Sequence, residues 1–96
     1  MSKVRVFDAA KYRNNPKLIA KYLNDALATD DSAFTTRAIG NLARAYGMGA
    51  IAKQANVDRA GLYRSLRGDA DPKFSTILKV LTALGIKLEA KPAAGL

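Results

Sequence analysis

The chain has 96 residues, a formal net charge of +8, no histidine and no cysteine, and 49% of its residues are apolar. That length allows one modest hydrophobic core, and the apolar share excludes a wholly disordered chain. Without imidazole or thiol, the commonest general base, the most nucleophilic side chain, disulfides and thiolate metal sites are all missing, so neither an enzyme nor a cofactor or metal is expected.

A sequence pI of about 10.1 suits a polyanionic partner such as DNA, RNA or an acidic membrane surface. No apolar run approaches the roughly 20 residues of a membrane span, and the N-terminus lacks the apolar core of a signal peptide. The expectation is a soluble cytoplasmic protein with no membrane partner.

In chain order, residues 4–7 alternate apolar and polar side chains, which predicts an arm or short strand within residues 1–7. Asp8 can cap a turn or short helix through Tyr12, before Asn14, Asn15 and Pro16 break it. Leu18, Ile19, Tyr22, Leu23, Ala26 and Leu27 then recur at helical spacing, opposite Lys17, Lys21, Asn24 and Asp25. That helix is expected to end near Ala28. Asp31 or Ser32 can cap the next, whose inner residues would be Phe34, Ala38, Ile39, Leu42, Ala43 and Tyr46, with Gly47 ending it.

Residues 48–67 predict a helix-turn-helix. Ile51, Ala52 and Ala55 share one face of a first helix that opens near Gly49, Asn56 suits a left-handed C-terminus, Val57 plugs the gap, and Asp58 caps a second helix. Leu62 and Leu66 then face inward, leaving Arg59, Tyr63, Arg64 and Arg67 to point elsewhere. Helical hairpins without a nucleic-acid role show similar spacing. Here, however, residues 37–67 hold six Lys/Arg against one acid, Asp58, which the cap explains.

After a turn-rich loop over residues 68–72, Phe74, Ile77, Leu78, Leu81 and Leu84 pattern a last helix closed by Gly85. Residues 86–90 alternate with period two and predict a short strand, stopped by Pro92. A lone strand must pair with the N-terminal arm, a second subunit or a partner. The fold class expected is all-α, about five helices in one domain over residues 1–96, with short terminal strands a further option.

Together Phe7, Asp8, Ala9 and Ala10, then Gly47, Met48, Ile51, Ala52, Gly61, Leu62 and Tyr63, then Asp71, Pro72, Phe74, Thr76, Leu78, Lys79, Val80, Leu81, Ala83, Leu84 and Gly85 carry a resemblance along nearly the whole chain. It resembles the addiction-module antidote proteins, HigA-like antitoxins with a Cro/CI-type helix-turn-helix. The resemblance implies a homodimer that binds its own operator in double-stranded DNA and neutralises a RelE/ParE-like toxin. It departs at Gly49 and Asp58, where serine caps are usual in that family, and at Ala60, where an acid is common, so the operator does not carry over.

The candidate DNA-binding residues are graded by position. Arg59 and Ala60 open the second helix, the part that usually goes deepest into the major groove, where Arg59 can bond guanine and Ala60 can meet a thymine methyl. Tyr63 and Arg64 can reach bases or phosphates, although Tyr63 also suits a half-buried anchor. Arg67 and Lys73, with Lys53 and Gln54 from the first helix, suit phosphates. Gly61, costly in a helix, suggests close packing on the first helix or close approach to DNA. Lys79 and Lys87 suit a solvated surface, and Asp30, Asp31, Asp69 and Asp71 suit caps and turns. Residues 74–90, including Ile86 and Leu88, are expected to form the dimer face. The toxin contact is expected from the arm at 4–7 and the outer face of the first long helix, with Asp8, Asp25, Asp30 and Asp31 supplying local charge complementarity. The competing readings are a stand-alone repressor and a protein-binding module whose basic face serves only solubility.

Overall fold

The computed structural model describes residues 9–93 and shows six helices and no strand among them. They are α1 (Ala9–Tyr12), α2 (Pro16–Leu27), α3 (Ser32–Tyr46), α4 (Met48–Ala55), α5 (Arg59–Ser65) and α6 (Phe74–Ala83). The all-α class is as expected, and the arrangement is compatible with a small helical helix-turn-helix-like fold. Asp8 and the arm at 4–7 lie outside the described residues.

Local chemistry explains the helix ends. The Asn15 side chain accepts a hydrogen bond from the Leu18 amide at 3.2 Å, and Pro16 takes the first helical position, where its missing N–H costs nothing. Asp31, rather than Ser32, caps α3 by accepting from the Phe34 amide at 3.0 Å. The hydroxyls of Thr29 and Thr35 both donate to the Ala26 carbonyl, which ties the end of α2 to the start of α3. A single residue, Gly47, with φ of 126°, then separates α3 from α4. The first helix of the hairpin therefore opens at Met48, one residue before the expected Gly49, and no side chain caps it.

Ile19 and Leu23 of α2, Ile39, Leu42 and Ala43 of α3, Met48, Ile51 and Ala52 of α4, Leu62 and Leu66 at α5, and Val80, Leu81 and Leu84 at α6 form one core. No polar or charged residue is buried among the described residues. The aromatic rings of Tyr12 and Tyr22 meet edge to face at 5.2 Å, and the Arg13 guanidinium donates to the Ala45 carbonyl, which fastens α1 over α2 and α3.

The expected apolar faces of α2, α3 and α6 need correction. Phe34 is exposed (44%), as is Phe74 (67%), because each sits in the first turn of its helix, beyond the packed stretch. Leu27 and Leu78 are also exposed, whereas Val80, left out of the expected stripe, is fully buried. The face that α6 turns to the core is Ile77, Val80, Leu81 and Leu84, which places Leu78 about 100° away. Residues 86–90 form no strand. The segment runs beside α2, lining a cleft with Leu23, Asn24 and Leu27, and finds no strand partner among the described residues.

Gly40 of α3 lies close against Leu66, the residue that closes α5. A Cβ there would lie 2.7 Å from the Leu66 carbonyl oxygen and 3.2 Å from the Leu66 Cβ. Intrinsic helix propensity favours alanine over glycine by about 1 kcal/mol. A backbone oxygen at that distance cannot yield cheaply, and overpacking costs about 1–3 kcal/mol or more. Gly40→Ala should therefore lower the thermal midpoint in a circular-dichroism melt, by about 4–8 °C for each net kcal/mol. A raised midpoint would mean that α3 and the end of α5 do not approach in this way.

Candidate nucleic-acid interface

The turn between α4 and α5 is built by three residues. Asn56 takes the left-handed conformation (φ 56°, ψ 48°) and ends α4. The Val57 amide donates to the Ala52 carbonyl at 3.0 Å while its half-buried side chain packs on the core. Asp58 adopts extended backbone, and its carboxylate accepts from the Gly61 amide at 2.8 Å. The expected roles of all three residues are met.

With Leu62 and Leu66 buried, helical geometry turns Arg59, Ala60, Tyr63 and Arg64 outward, and all four are exposed. The Arg59 guanidinium carbon lies 5.8 Å from the centroid of the Tyr63 ring one turn on. The same guanidinium passes 3.7 Å from where a Cβ on Gly49 would stand, so it spans from α5 to the first turn of α4. Tyr63 is 36% exposed, with its ring beside the Arg59 guanidinium. The Gly61 expectation also changes. The nearest atoms to a Cβ there are Asp58 Oδ2 at 3.4 Å and an Arg64 nitrogen at 3.6 Å, both from α5 and its cap rather than from α4.

The other nominated residues are more scattered. Arg67 follows α5 and pairs with Asp69 at 3.5 Å, with both side chains mostly exposed, a contact worth about 0–1 kcal/mol. Lys53 is exposed on α4, and Lys73 stands exposed at the N-terminus of α6. Gln54 lines a small cavity with Leu78, Lys79 and Thr82, so it lies beside α6.

Two further arginines stand close to the end of α5. Arg37 and Arg44 of α3 line one cleft with Leu66 and Arg67. Their spacing of seven places them on one helix face, with Asn41 between, and that periodicity was available in the sequence.

The family model described as "Probable addiction module antidote protein" matches residues 3–92. A protein of Haemophilus influenzae (strain ATCC 51907 / DSM 11121 / KW20 / Rd), named only as uncharacterized, is 36% identical over 85 residues, covering 88% of each chain. No solved structure matches the chain. An antidote implies a toxin, so a toxin partner comes with the family. No helix among the described residues is long and apolar enough to cross a membrane. With a model that spans nearly the whole sequence and a relative matched over the same share of both chains, this chain belongs to the family of addiction module antidote proteins.

Proposed function

We propose that the protein is a sequence-specific DNA-binding antitoxin of a type II toxin–antitoxin module, HigA-like, with a Cro/CI-type helix-turn-helix at residues 48–67 in one domain. It represses its own operon and neutralises a RelE/ParE-like toxin. The observation that carries the DNA reading is the outward face of α5. Arg59, Tyr63 and Arg64 stand exposed there, and the adjacent carboxylate, Asp58, is engaged by the Gly61 amide. Among the described residues neither guanidinium forms an ion pair, which leaves both for an anionic partner. Arg59 enters the groove first and Arg67 holds a phosphate beyond it.

One recognition helix touches few base pairs, so the protein acts as a homodimer on half-sites about 34–36 Å apart. Leu78 and Leu88 supply the apolar face for this dimer, each 39% exposed along a groove that also includes Thr82 and Lys87. Ile86, nominated with them, is partly spent on the protein's own core.

Arg59→Ala should cost about 1–3 kcal/mol of operator affinity and relax one base position, whereas Arg67→Ala should weaken all sequences alike and flatten the log–log salt slope by about 1. Gel shifts against the protein's own upstream DNA measure both. Unchanged affinity and preference in Arg59→Ala would remove α5 from the groove.

Leu88→Lys should elute as a monomer from a sizing column and lose operator binding while keeping its helical circular-dichroism spectrum. A variant that stayed dimeric would place the interface elsewhere. Because the toxin contact is assigned outside α5, Arg59→Ala should still rescue the growth of cells expressing the neighbouring toxin gene. Absence of such a gene would leave a stand-alone repressor.

A further inference from the structure

We infer that the cleft between α3 and the end of α5 holds a backbone phosphate of bound duplex DNA, extending the interface from α5 onto α3; this rests on the DNA-binding reading above. The cleft has a volume of about 430 Å³, and three arginines line it, Arg37 and Arg44 from α3 and Arg67 from the residues after α5. No carboxylate lines it, and among the described residues neither Arg37 nor Arg44 pairs with an acid.

The Arg37 and Arg44 guanidinium groups are each positioned by a contact that leaves the charge in place, whereas Arg67 pairs at the exposed rim with Asp69 at 3.5 Å. The Arg37 stem lies against Gly68, where a Cβ would come within 2.5 Å of the Arg37 Cγ, and Gly68 itself has φ of +98°. The loop after α5 is thus shaped around this one side chain, at a position that suits glycine on two counts. The Arg37 guanidinium then stands 5.9 Å from the centre of the Phe34 ring. Arg44 donates to the Asn41 side-chain oxygen, and the Asn41 amide donates in turn to the Tyr22 hydroxyl at 3.1 Å. An amide and an aromatic face orient the two cations without neutralising them.

Arg37 and Arg44 carry uncompensated like charges around one cleft, and like charges repel by about 1 kcal/mol per pair at 4 Å in water and more beside protein. A bound anion reverses the sign of that cost. Guanidinium groups match phosphate oxygens two at a time, and the exposed Phe34 ring offers the apolar wall that a deoxyribose can rest on. Contiguity selects the DNA backbone as the source of the phosphate, because Arg67 belongs both to this cleft and to the end of the proposed reading helix.

The test measures binding of a random-sequence duplex across a salt series, for the full chain and for Arg37→Gln, Arg44→Gln and Lys79→Gln, each first matched to the parent by thermal midpoint. Each arginine variant should flatten the log–log slope by about 0.9 and weaken every sequence alike, with Lys79→Gln unchanged. Should Arg44→Gln fold poorly, Arg44→Lys keeps the charge and should keep the slope. A second arm compares thermal midpoints in inorganic phosphate and in chloride at equal ionic strength. A phosphate-specific rise that the arginine variants lose, with duplex slopes unaltered, would assign the cleft to free phosphate and overturn the DNA source. Duplex binding by the parent with unaltered slopes in both variants, and no such rise, would overturn the inference alone. A parent that binds no duplex would overturn the DNA-binding reading and this inference with it.

Discussion

The absence of a side chain at Gly40 sets how near α3 can come to the end of α5, and the outward face of α5 depends on that approach. A helix of seven residues is not stable by itself in water. It persists here because Asp58 satisfies an amide at its start, Leu62 anchors its middle, and Leu66 closes it against α3. Remove any of the three and the helix frays toward the coil. The 15-residue α3 is accordingly the platform, and the short helix is what it presents.

Charge placement follows from the same caps. Asp31 and Asp58 are occupied by backbone amides, and Asp25 and Asp69 by nearby Lys21 and Arg67. Four of the eight acids are thereby used locally, which leaves Arg37, Arg44, Arg59 and Arg64 without carboxylate partners among the described residues. Arg59 even stands in the first turn of a helix, where the macrodipole disfavours a cation by about 0.3–1 kcal/mol. Its stacking on Tyr63 returns a similar amount, about 0.5–1 kcal/mol at an exposed site. The side chain is held between Tyr63 and the first turn of α4 without its charge being spent. Such a pose lowers the ordering cost of meeting an anion.

Local signals in the sequence carried the helix ends and the turn. Asn15, Asp31, Asn56 and Asp58 act through bonds to residues three or four away, and Pro16 through its fixed φ and missing N–H, so their roles could be read without knowing the fold. Long-range contacts were not legible in that way. Gly40 looked like an ordinary helix position because its meaning lies in Leu66, 26 residues on. Val80 and Leu78 are both apolar, and only the direction of the partner helix decides which is buried. The period-two pattern at residues 86–90 was genuine, but a strand needs a neighbour to bond, and among the described residues the segment lies beside α2 instead. The candidate site divided along the same line. Arg59, Tyr63 and Arg64 share a face because they share one helix, whereas the convergence of Arg37 and Arg44 with Arg67 depends on how α3 meets the chain beyond α5.

The packing order also bears on how two copies would read DNA. α6 packs on α4, and α4 packs on α5 through the turn at Val57, so the exposed apolar side of α6 and the exposed basic side of α5 are joined through a continuous core. Protein interiors are packed as densely as organic crystals and transmit position rather than absorb it. In the proposed dimer, a contact through Leu78 of α6 would therefore help to fix the separation of the two α5 helices. A rigid separation discriminates between half-site spacings, because a duplex with the wrong spacing must be bent or twisted to engage both helices, at a cost of order 1–6 kcal/mol for large bends. Specificity would then come from two sources, the few bases each α5 touches and the distance that α6 imposes between them.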